Sequence, residues 1–282
     1  MPNKLFRPVQ FYPRFTPNPI SPRTYIANLV CKAWASLLLG LVLALPARAD
    51  VADTLIKIKP AIVGIGSYQP GRSPGGQLKG TGFVVGDGKT VATCYHIVKP
   101  VLDLDHNESW AVFLGQGREV HYRLAKVIAT DPAHDLALMR FEGDALPALK
   151  LGDVEQIREG DQLYFTGYPI GSILGLYAAT HRAGLAAIVP IYTPLPRANE
   201  LNARTIRQAV DPFRVFQLDA IAYPGNSGSP LWQPATGAVL GVVNSVFVKG
   251  AKEAALSDPS GISYAIPADH IRALLEQAGM KD

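Results

Sequence analysis

Short apolar runs with alternating polar positions dominate the chain from residue 61 onward. Six runs lie between residues 61 and 141, each rich in β-branched and aromatic side chains and bounded by turn residues such as Gly86-Asp87-Gly88. Six more lie between residues 162 and 267. No helical pattern of ten or more residues separates neighbouring runs, which argues against parallel strands joined by helices. The pattern predicts an all-β protein with two groups of antiparallel strands.

Two groups of about six strands fit two antiparallel barrels or sandwiches joined near residues 143–160. We expect the first barrel to cover about 61–145 and the second about 160–267. Two stretches between strands are expected to be exposed irregular loops, because they are rich in Gly, Pro and polar residues. These are residues 69–80 and 190–212, and the length and position of the second make it a candidate gate.

A helix is predicted on each side of the strand-rich region. Residues 50–59 carry apolar residues at i, i+4 and i+7 and are followed by Pro60, which predicts a short amphipathic helix. A second helix is predicted at about 268–279, ending at Gly279. Its apolar face would consist of Ile271, Leu274, Leu275 and Ala278.

Residues 1–49 have the pattern of a leader. The thirteen apolar residues 33–45 follow a basic region and precede Ala47-Arg48-Ala49, a small-x-small cleavage pattern. Because thirteen residues are short for a bilayer span, we predict a cleaved signal peptide, with the mature chain, 50–282, starting near Asp50. An uncleaved membrane anchor is the alternative.

The leader changes the interpretation of charge and cysteines. It holds six of the 27 basic residues and no acidic residue, so the rest of the chain is slightly acidic and gives no argument for nucleic-acid binding. Of the two cysteines, Cys31 lies in the leader and Cys94 in the mature chain. The mature chain therefore lacks an internal disulfide, and Cys94 is interpreted as a small buried thiol.

A glycine-flanked serine is the first candidate for chemistry. In "YPGNSGSPLW", Gly225 allows a sharp turn from which its own N–H and that of Ser227 can point at one spot, and Gly228 leaves room for a substrate. Acyl transfer from Ser227 would need such an oxyanion site, an imidazole and a carboxylate. Gly-Asn-Ser-Gly is also ordinary turn chemistry, so this motif alone does not decide.

Candidates for the imidazole and the carboxylate lie upstream. His96 lies near the end of the apolar run "TVATCYHIV", where packing of an apolar core would not require a polar residue. Asp135 opens the alternating strand "DLALMRF", whereas Asp131 before Pro132 is typical of a turn. A satisfied core histidine and a surface aspartate are the alternatives.

Three segments, "VATCYHIV", "DPAHDLALMR" and "AYPGNSGSPLW", resemble the His, Asp and Ser segments of trypsin-fold serine proteases, specifically the HtrA (DegP-like) family. "GTGFVVGDGKTVAT" and "GISYAIPADHIRALLEQ" extend the resemblance over nearly all of 51–278. It implies two chymotrypsin-like six-stranded barrels. It also implies His96 as general base, Asp135 as its orienting partner and Ser227 as nucleophile, with the N–H groups of Gly225 and Ser227 as the oxyanion hole and that of Asn226 assisting.

Some positions of this chain differ from the family pattern, and the differences predict how its activation and domain composition differ from those of relatives. Asn226 stands where digestive relatives have an aspartate that pairs with a newly cut N-terminus, which argues against activation by trimming. Ser229 replaces a usual glycine. Relatives commonly append PDZ domains, and since the chain ends twelve residues after His270, none is expected here.

The specificity pocket is inferred from spacing within the fold that the resemblance implies. The residue six before the nucleophile, Ile221, would form the pocket floor beside Ala220 and Ala222. An apolar floor cannot pair a buried Lys or Arg, so small or medium aliphatic residues should precede the scissile bond. No zinc or phosphate motif is present, and no metal or other cofactor is expected.

The leader, the three motifs and the family resemblance together predict an exported, periplasmic serine endopeptidase acting on unfolded or damaged polypeptides. The alternatives are a chaperone-like module that binds without cutting and a membrane-anchored signalling protease with one substrate. Membrane contact is expected only if the leader is retained, nucleic-acid binding is not expected, and a homo-oligomer is possible.

Overall fold

The computed structural model describes residues 50–117, 119–171, 175–191, 213–244 and 261–282. Six antiparallel strands of this part close the first barrel, in the spatial order β1-β2-β3-β6-β5-β4. The strands are β1 (Ile62–Tyr68), β2 (Gly76–Val85), β3 (Thr90–Cys94), β4 (Ser109–Leu114), β5 (His121–Asp131) and β6 (Leu136–Phe141).

The second barrel is also closed by six antiparallel strands of the described residues, in the order β10-β11-β12-β9-β8-β7. The strands are β7 (Gln162–Gly167), β8 (Ala179–Pro190), β9 (Arg214–Asp219), β10 (Pro230–Trp232), β11 (Val239–Asn244) and β12 (Ile262–Pro267). The predicted all-β fold of two six-stranded barrels is confirmed.

Each barrel has its own apolar interior. In the first barrel, Ile65, Phe83 and Leu138 are fully buried. In the second barrel, Phe165 and Leu218 are fully buried in a separate cluster. Alternating strand residues fill the two interiors because successive side chains of a strand point to opposite faces.

Within the described residues, two longer helices flank the strands, as predicted. Helix α1 (Val51–Ile58) begins at Asp50, whose side chain accepts a hydrogen bond from the Ala52 N–H (3.0 Å), and Pro60 follows its last turn. A one-turn helix, α2 (Tyr95–Val98), follows β3. Helix α3 (Ala268–Gln277) follows the last strand of barrel two, and its face of Ile271, Leu274 and Leu275 is buried in the core that contains the interior of barrel one. The helix therefore ties the two barrels together.

The structure corrects two details of the strand prediction. Strand β2 begins at Gly76, inside the stretch predicted as a loop, because Gly76 to Leu78 pair with Tyr68 to Gly66 of β1. The run that carries His96 is not one strand, since β3 ends at Cys94 and α2 begins at Tyr95.

The predicted leader and nearly all of loop 190–212 lie outside the described residues. Among the described residues, no helix has the length and apolar composition needed to span a membrane.

Candidate active site

His96 and Asp135 are brought together by the pairing of β3 with β6. Cys94 pairs with Leu136 in this register, so the turn after β3 lies directly beside the residue that precedes β6. His96 Nδ1 lies 2.6 Å from Asp135 Oδ2, and the His96 main-chain N–H donates to Asp135 Oδ1 (2.8 Å). The Tyr95 N–H donates to the Asp135 carbonyl (2.9 Å). The carboxylate therefore holds both the ring and the backbone of His96.

Asp135 has a backbone conformation that few residues adopt. Its φ is 55°, in the left-handed region, where aspartate is more often found than most non-glycine residues. This conformation directs a mostly buried carboxylate back toward α2 instead of into the sheet. Sequence reasoning found Asp135 by its place at the strand start, but the periodicity of the strand does not contain this turn.

Asn244 is a site residue that sequence reasoning missed. It ends β11 of barrel two and is fully buried, and its Nδ2 donates to Asp135 Oδ2 at 2.6 Å. The same carboxylate oxygen thus contacts the imidazole of barrel one and an amide of barrel two. The signal was available in "AVLGVVN", where a polar residue terminates an apolar run, but it has no spacing relation to His96 or Asp135.

Ser227 lies at the junction of the barrels in the turn before β10 and is 4% exposed. The Thr81 N–H, from β2 of barrel one, donates to the Ser227 carbonyl (2.9 Å), and the Thr81 hydroxyl donates to the Gly225 carbonyl (2.7 Å). The same hydroxyl accepts from the Tyr168 N–H (3.0 Å). Thr81 therefore connects β2 to two carbonyls of the nucleophile turn, and it is the second residue that sequence reasoning missed.

The Gly225 N–H has a defined direction. The Ile170 N–H donates to the Pro224 carbonyl (2.7 Å), and because that carbonyl and the Gly225 N–H lie on opposite sides of one planar trans peptide, the Gly225 N–H points away from Ile170. Within the described residues this N–H has no acceptor. Gly225 has φ +99°, and a Cβ there would lie 2.2 Å from the Tyr168 carbonyl oxygen, so the position requires glycine.

The structure corrects the expectations for Asn226 and Gly228. The Asn226 N–H donates to the Tyr223 carbonyl (3.0 Å) and closes the turn, so it does not assist an oxyanion. A Cβ at Gly228 would lie 1.9 Å from the Thr81 carbonyl oxygen. Glycine is therefore needed at 228 because the β2 backbone approaches closely, and not to leave room for a substrate.

Two residues of the nucleophile segment have buried polar atoms that are not hydrogen-bonded within the described residues. Asn226 and Ser229 are fully buried, and neither the Asn226 amide nor the Ser229 hydroxyl has a hydrogen-bond partner in the part of the chain that the structure describes. Ser229 occupies the space left by Gly167, where a Cβ would lie 1.9 Å from the Ser229 Oγ. The serine that replaces the family's usual glycine is thus accommodated by a glycine on β7.

Cys94 and Ile221 complete the predicted set. The Cys94 Sγ donates to the Val243 carbonyl (3.5 Å), and burial, followed by the nearby charge of Asp135, raises the pKa of this thiol well above its usual range. Potential ligand atoms of Cys94, His96 and Asp135 lie within 4.8 Å of one another. The His96 Nδ1 is hydrogen-bonded to Asp135, and the Cys94 Sγ is hydrogen-bonded to the Val243 carbonyl. Ile221 is half-buried between β9 and the nucleophile turn.

Two other histidines, His134 and His270, contact each other. His134 pairs with Asp131, and its ring stacks on that of His270, with centroids 3.9 Å apart. His270 is half-buried in this stack.

Two closed barrels with a histidine–aspartate pair on one, and a serine in a glycine-flanked turn at their junction, define the chymotrypsin-like class of proteins. The comparisons with known proteins place the chain within that class. Residues 80–242 match the model of the trypsin-like peptidase domain. The chain belongs to this family.

Among the sequence relatives are proteins described as DegP-like proteases. A probable periplasmic serine endoprotease, DegP-like, of Pseudomonas fluorescens is 30% identical over 210 residues, covering 72% of this chain and 37% of that protein. A protein of the same description from a Marinomonas species is 29% identical over 202 residues, covering 70% of this chain and 35% of that protein. The resemblance to DegP-like proteases is confirmed, and the chain spans about a third of the length of these relatives.

Solved structures share the fold. The HtrA-type protease AlgW with a decapeptide superposes with a TM-score of 0.58 at 22% identity, covering 81% of this chain and 67% of that chain. The inactive form of Rv3671c protease superposes with a TM-score of 0.56 at 21% identity, covering 80% and 92%. At these identities the likeness supports the fold alone.

Proposed function

We propose that the chain is a serine endopeptidase that hydrolyses peptide bonds through an acyl-enzyme on Ser227. The observation that carries the proposal is the His96–Asp135 pair, 2.6 Å apart, joined through Asn244 and Thr81 to the barrel that carries Ser227. Membership of the trypsin-like peptidase family supports it.

In the proposed reaction the Ser227 Oγ attacks the carbonyl carbon of the scissile bond while His96 Nε2 takes the hydroxyl proton. Asp135 keeps the proton of the imidazole on Nδ1 and stabilises the imidazolium that forms. The N–H groups of Gly225 and Ser227 stabilise the negative oxygen of the tetrahedral intermediate. His96 then donates its proton to the leaving amine, and a water molecule releases the acyl group by the reverse sequence of proton transfers.

The proposed substrates are unfolded polypeptides, with a small or medium aliphatic residue before the scissile bond. Ile221, with Ala220 and Ala222, would form an apolar pocket floor that offers no charge to a Lys or Arg side chain. The proposed location is the periplasm, for which the support is the description of the DegP-like relatives as periplasmic.

A fluorophosphonate probe tests the activity, because it reacts with a serine only when the serine is activated. We expect the probe to label the wild-type chain and not Ser227→Ala, and His96→Ala to slow labelling by several orders of magnitude. An unlabelled wild-type chain, or equal labelling of Ser227→Ala, would contradict the proposed enzymatic activity. The chaperone-like module that binds without cutting would then be the remaining alternative.

Peptides that differ only in the residue before the scissile bond test the pocket. We expect Val, Ala, Ile and Leu to be preferred over Arg in kcat/KM, and Ile221→Asp to shift the preference toward Arg or Lys. A strong wild-type preference for Arg would contradict the assignment of Ile221.

A further inference from the structure

An open groove of about 480 Å³ lies on barrel one, outside the residues assigned to the reaction. Its walls are made of described residues from the β1–β2 hairpin, the β4–β5 turn and the segment after β7. Its apolar lining includes Tyr68, Leu78, Phe113, Val120 and Tyr122. Clefts of this size, lined by aromatic and aliphatic side chains, are the usual binding sites of proteins.

Three glycines keep the groove open. A Cβ at Gly75 would lie 2.9 Å from the Tyr68 ring, one at Gly76 would lie 2.6 Å from the Phe113 ring, and one at Gly171 would lie 2.5 Å from Leu78. None of the three has a positive φ, so the backbone conformation does not require glycine at these positions. The absence of side chains instead leaves the rings and Leu78 accessible from the groove.

The wall of the groove suits an apolar side chain. The rings of Tyr68 and Tyr122 are stacked with centroids 4.0 Å apart, and Tyr122 is 41% exposed although it is a large aromatic residue. The guanidinium of Arg72, which also borders the groove, is paired with Glu108 (2.8 Å) and bonds to the Gly75 carbonyl. Because the charge of Arg72 is balanced in this way, the groove favours aromatic or aliphatic groups over anions.

The groove adjoins the nucleophile turn on the side of β2. Leu78, in its lining, is three residues before Thr81, whose N–H bonds to the Ser227 carbonyl, so the two are about 10 Å apart along the strand. Gly171, also in the lining, follows Ile170, whose N–H bonds to the Pro224 carbonyl. The groove therefore borders the nucleophile turn from barrel one, whereas Ile221 precedes that turn in barrel two, after β9.

We propose that this groove binds the part of the substrate that follows the scissile bond, with an aromatic or large aliphatic side chain lying on the Tyr68–Tyr122 pair. The proposal rests on the proposed function, since it names a specificity determinant of the same site. At about 3.3 Å per residue, the roughly 10 Å between Thr81 and Leu78 corresponds to about three residues, so we expect this side chain two to four residues after the scissile bond.

Internally quenched peptides with one Phe placed in turn at the first four positions after the scissile bond, and Ser at the others, test the proposal. We expect Phe at one of the second to fourth positions to raise kcat/KM about tenfold over the all-Ser peptide. Tyr122→Ala should reduce this preference to about twofold or less, while Tyr122→Phe keeps it. Leu124→Ala is the matched control, because Leu124 lies on the same strand with similar exposure and does not line the groove, so it should retain the preference.

Equal cleavage of all the peptides, or a Phe preference that survives Tyr122→Ala, would overturn the proposal. A binding measurement separates this outcome from failure of the proposed function. Fluorescence anisotropy with the same peptides on Ser227→Ala should show tighter binding of the preferred Phe peptide, and the double variant with Tyr122→Ala should lose it. If the wild type cuts no peptide, Tyr122-dependent binding supports the groove without the endopeptidase, and equal binding overturns both.

Discussion

Asn244 of barrel two donates a hydrogen bond to Asp135 of barrel one at 2.6 Å, on the same carboxylate oxygen that lies 2.6 Å from the imidazole of His96. The orientation of the proposed general base therefore depends on the relative placement of the two barrels. Asn244 fixes the carboxylate from the side that the β3–β6 pairing does not reach.

Asn244 should contribute to the rate of the reaction through this contact. Replacing Asn244 by alanine should lower kcat/KM by roughly tenfold to a hundredfold, the value of a hydrogen bond to a charged group, with a smaller change in KM. Asn244→Asp should be worse than alanine, because it places a second carboxylate beside Asp135. Steady-state kinetics on one peptide substrate checks both variants, and an alanine variant within twofold of the wild type would contradict a positioning role.

Thr81→Val should impair the oxyanion site without disturbing the barrel. The substitution keeps the shape of a fully buried side chain but removes the hydroxyl that donates to the Gly225 carbonyl and accepts from the Tyr168 N–H. Each buried group left without its partner costs about 1–3 kcal/mol, so we expect a fall in kcat of about tenfold or more. Thr81→Ser retains the hydroxyl and should restore most of the rate, and an equally slow serine variant would contradict this explanation.

Gly228 should tolerate no side chain. Gly228→Ala meets both a positive φ of +87° and a Cβ 1.9 Å from the Thr81 carbonyl oxygen, so it should destabilise the fold and abolish fluorophosphonate labelling. Gly160 is the matched control, since it has φ +93° and nothing within 4 Å of its Cβ position. Gly160→Ala should cost about 1 kcal/mol of unfolding free energy and leave labelling intact. If both variants lost stability and labelling equally, the requirement for glycine at 228 would come from the backbone conformation alone and not from the close approach of β2.

Glu108 should make stability depend on pH. Hydrogen bonds from the Asp103 N–H, the Ser67 hydroxyl and Arg72 lower the pKa of Glu108 from its usual 4.5 to about 2. Because the folded pKa lies below the unfolded one, the stabilisation is complete above about pH 4.5 and is lost as the pH falls toward 2. Urea unfolding should therefore show a destabilised Glu108→Gln variant at neutral pH, with a difference from wild type that shrinks below pH 4.5. A difference that is constant with pH would refute the linkage.

Cys94 should be inert in the folded protein. Burial raises the pKa of its thiol, and only the thiolate reacts with alkylating agents. In a Cys31→Ser background, iodoacetamide at neutral pH should modify Cys94 only at the rate of unfolding, and mild oxidation should leave activity unchanged. Modification in seconds without urea would show that the thiol is accessible from the native state.

Cleavage specificity, oligomeric state and the fate of residues 1–49 stay predictions from the sequence. The strands and the reactive segments have a firmer basis, because alternation of apolar residues reports directly on strands that bury one face, and short motifs report on turns. Both signals are local. They predicted the twelve strands and two longer helices found in the described ranges, and the order of His96, Asp135 and Ser227 along the chain.

Other features depend on contacts between residues that are far apart in the sequence. Strand β2 begins at Gly76 because Gly76 pairs with Tyr68 of β1. His96 lies on a one-turn helix whose His96 N–H donates a hydrogen bond to Asp135. Asn244 and Thr81 carry no motif, since their roles arise only when one barrel meets the other. The glycine-lined groove beside Tyr122 likewise consists of residues from three separated segments. Local residue patterns specify the strands, helices and chemical groups of this protein, whereas packing between the barrels selects which of those groups meet and in what geometry.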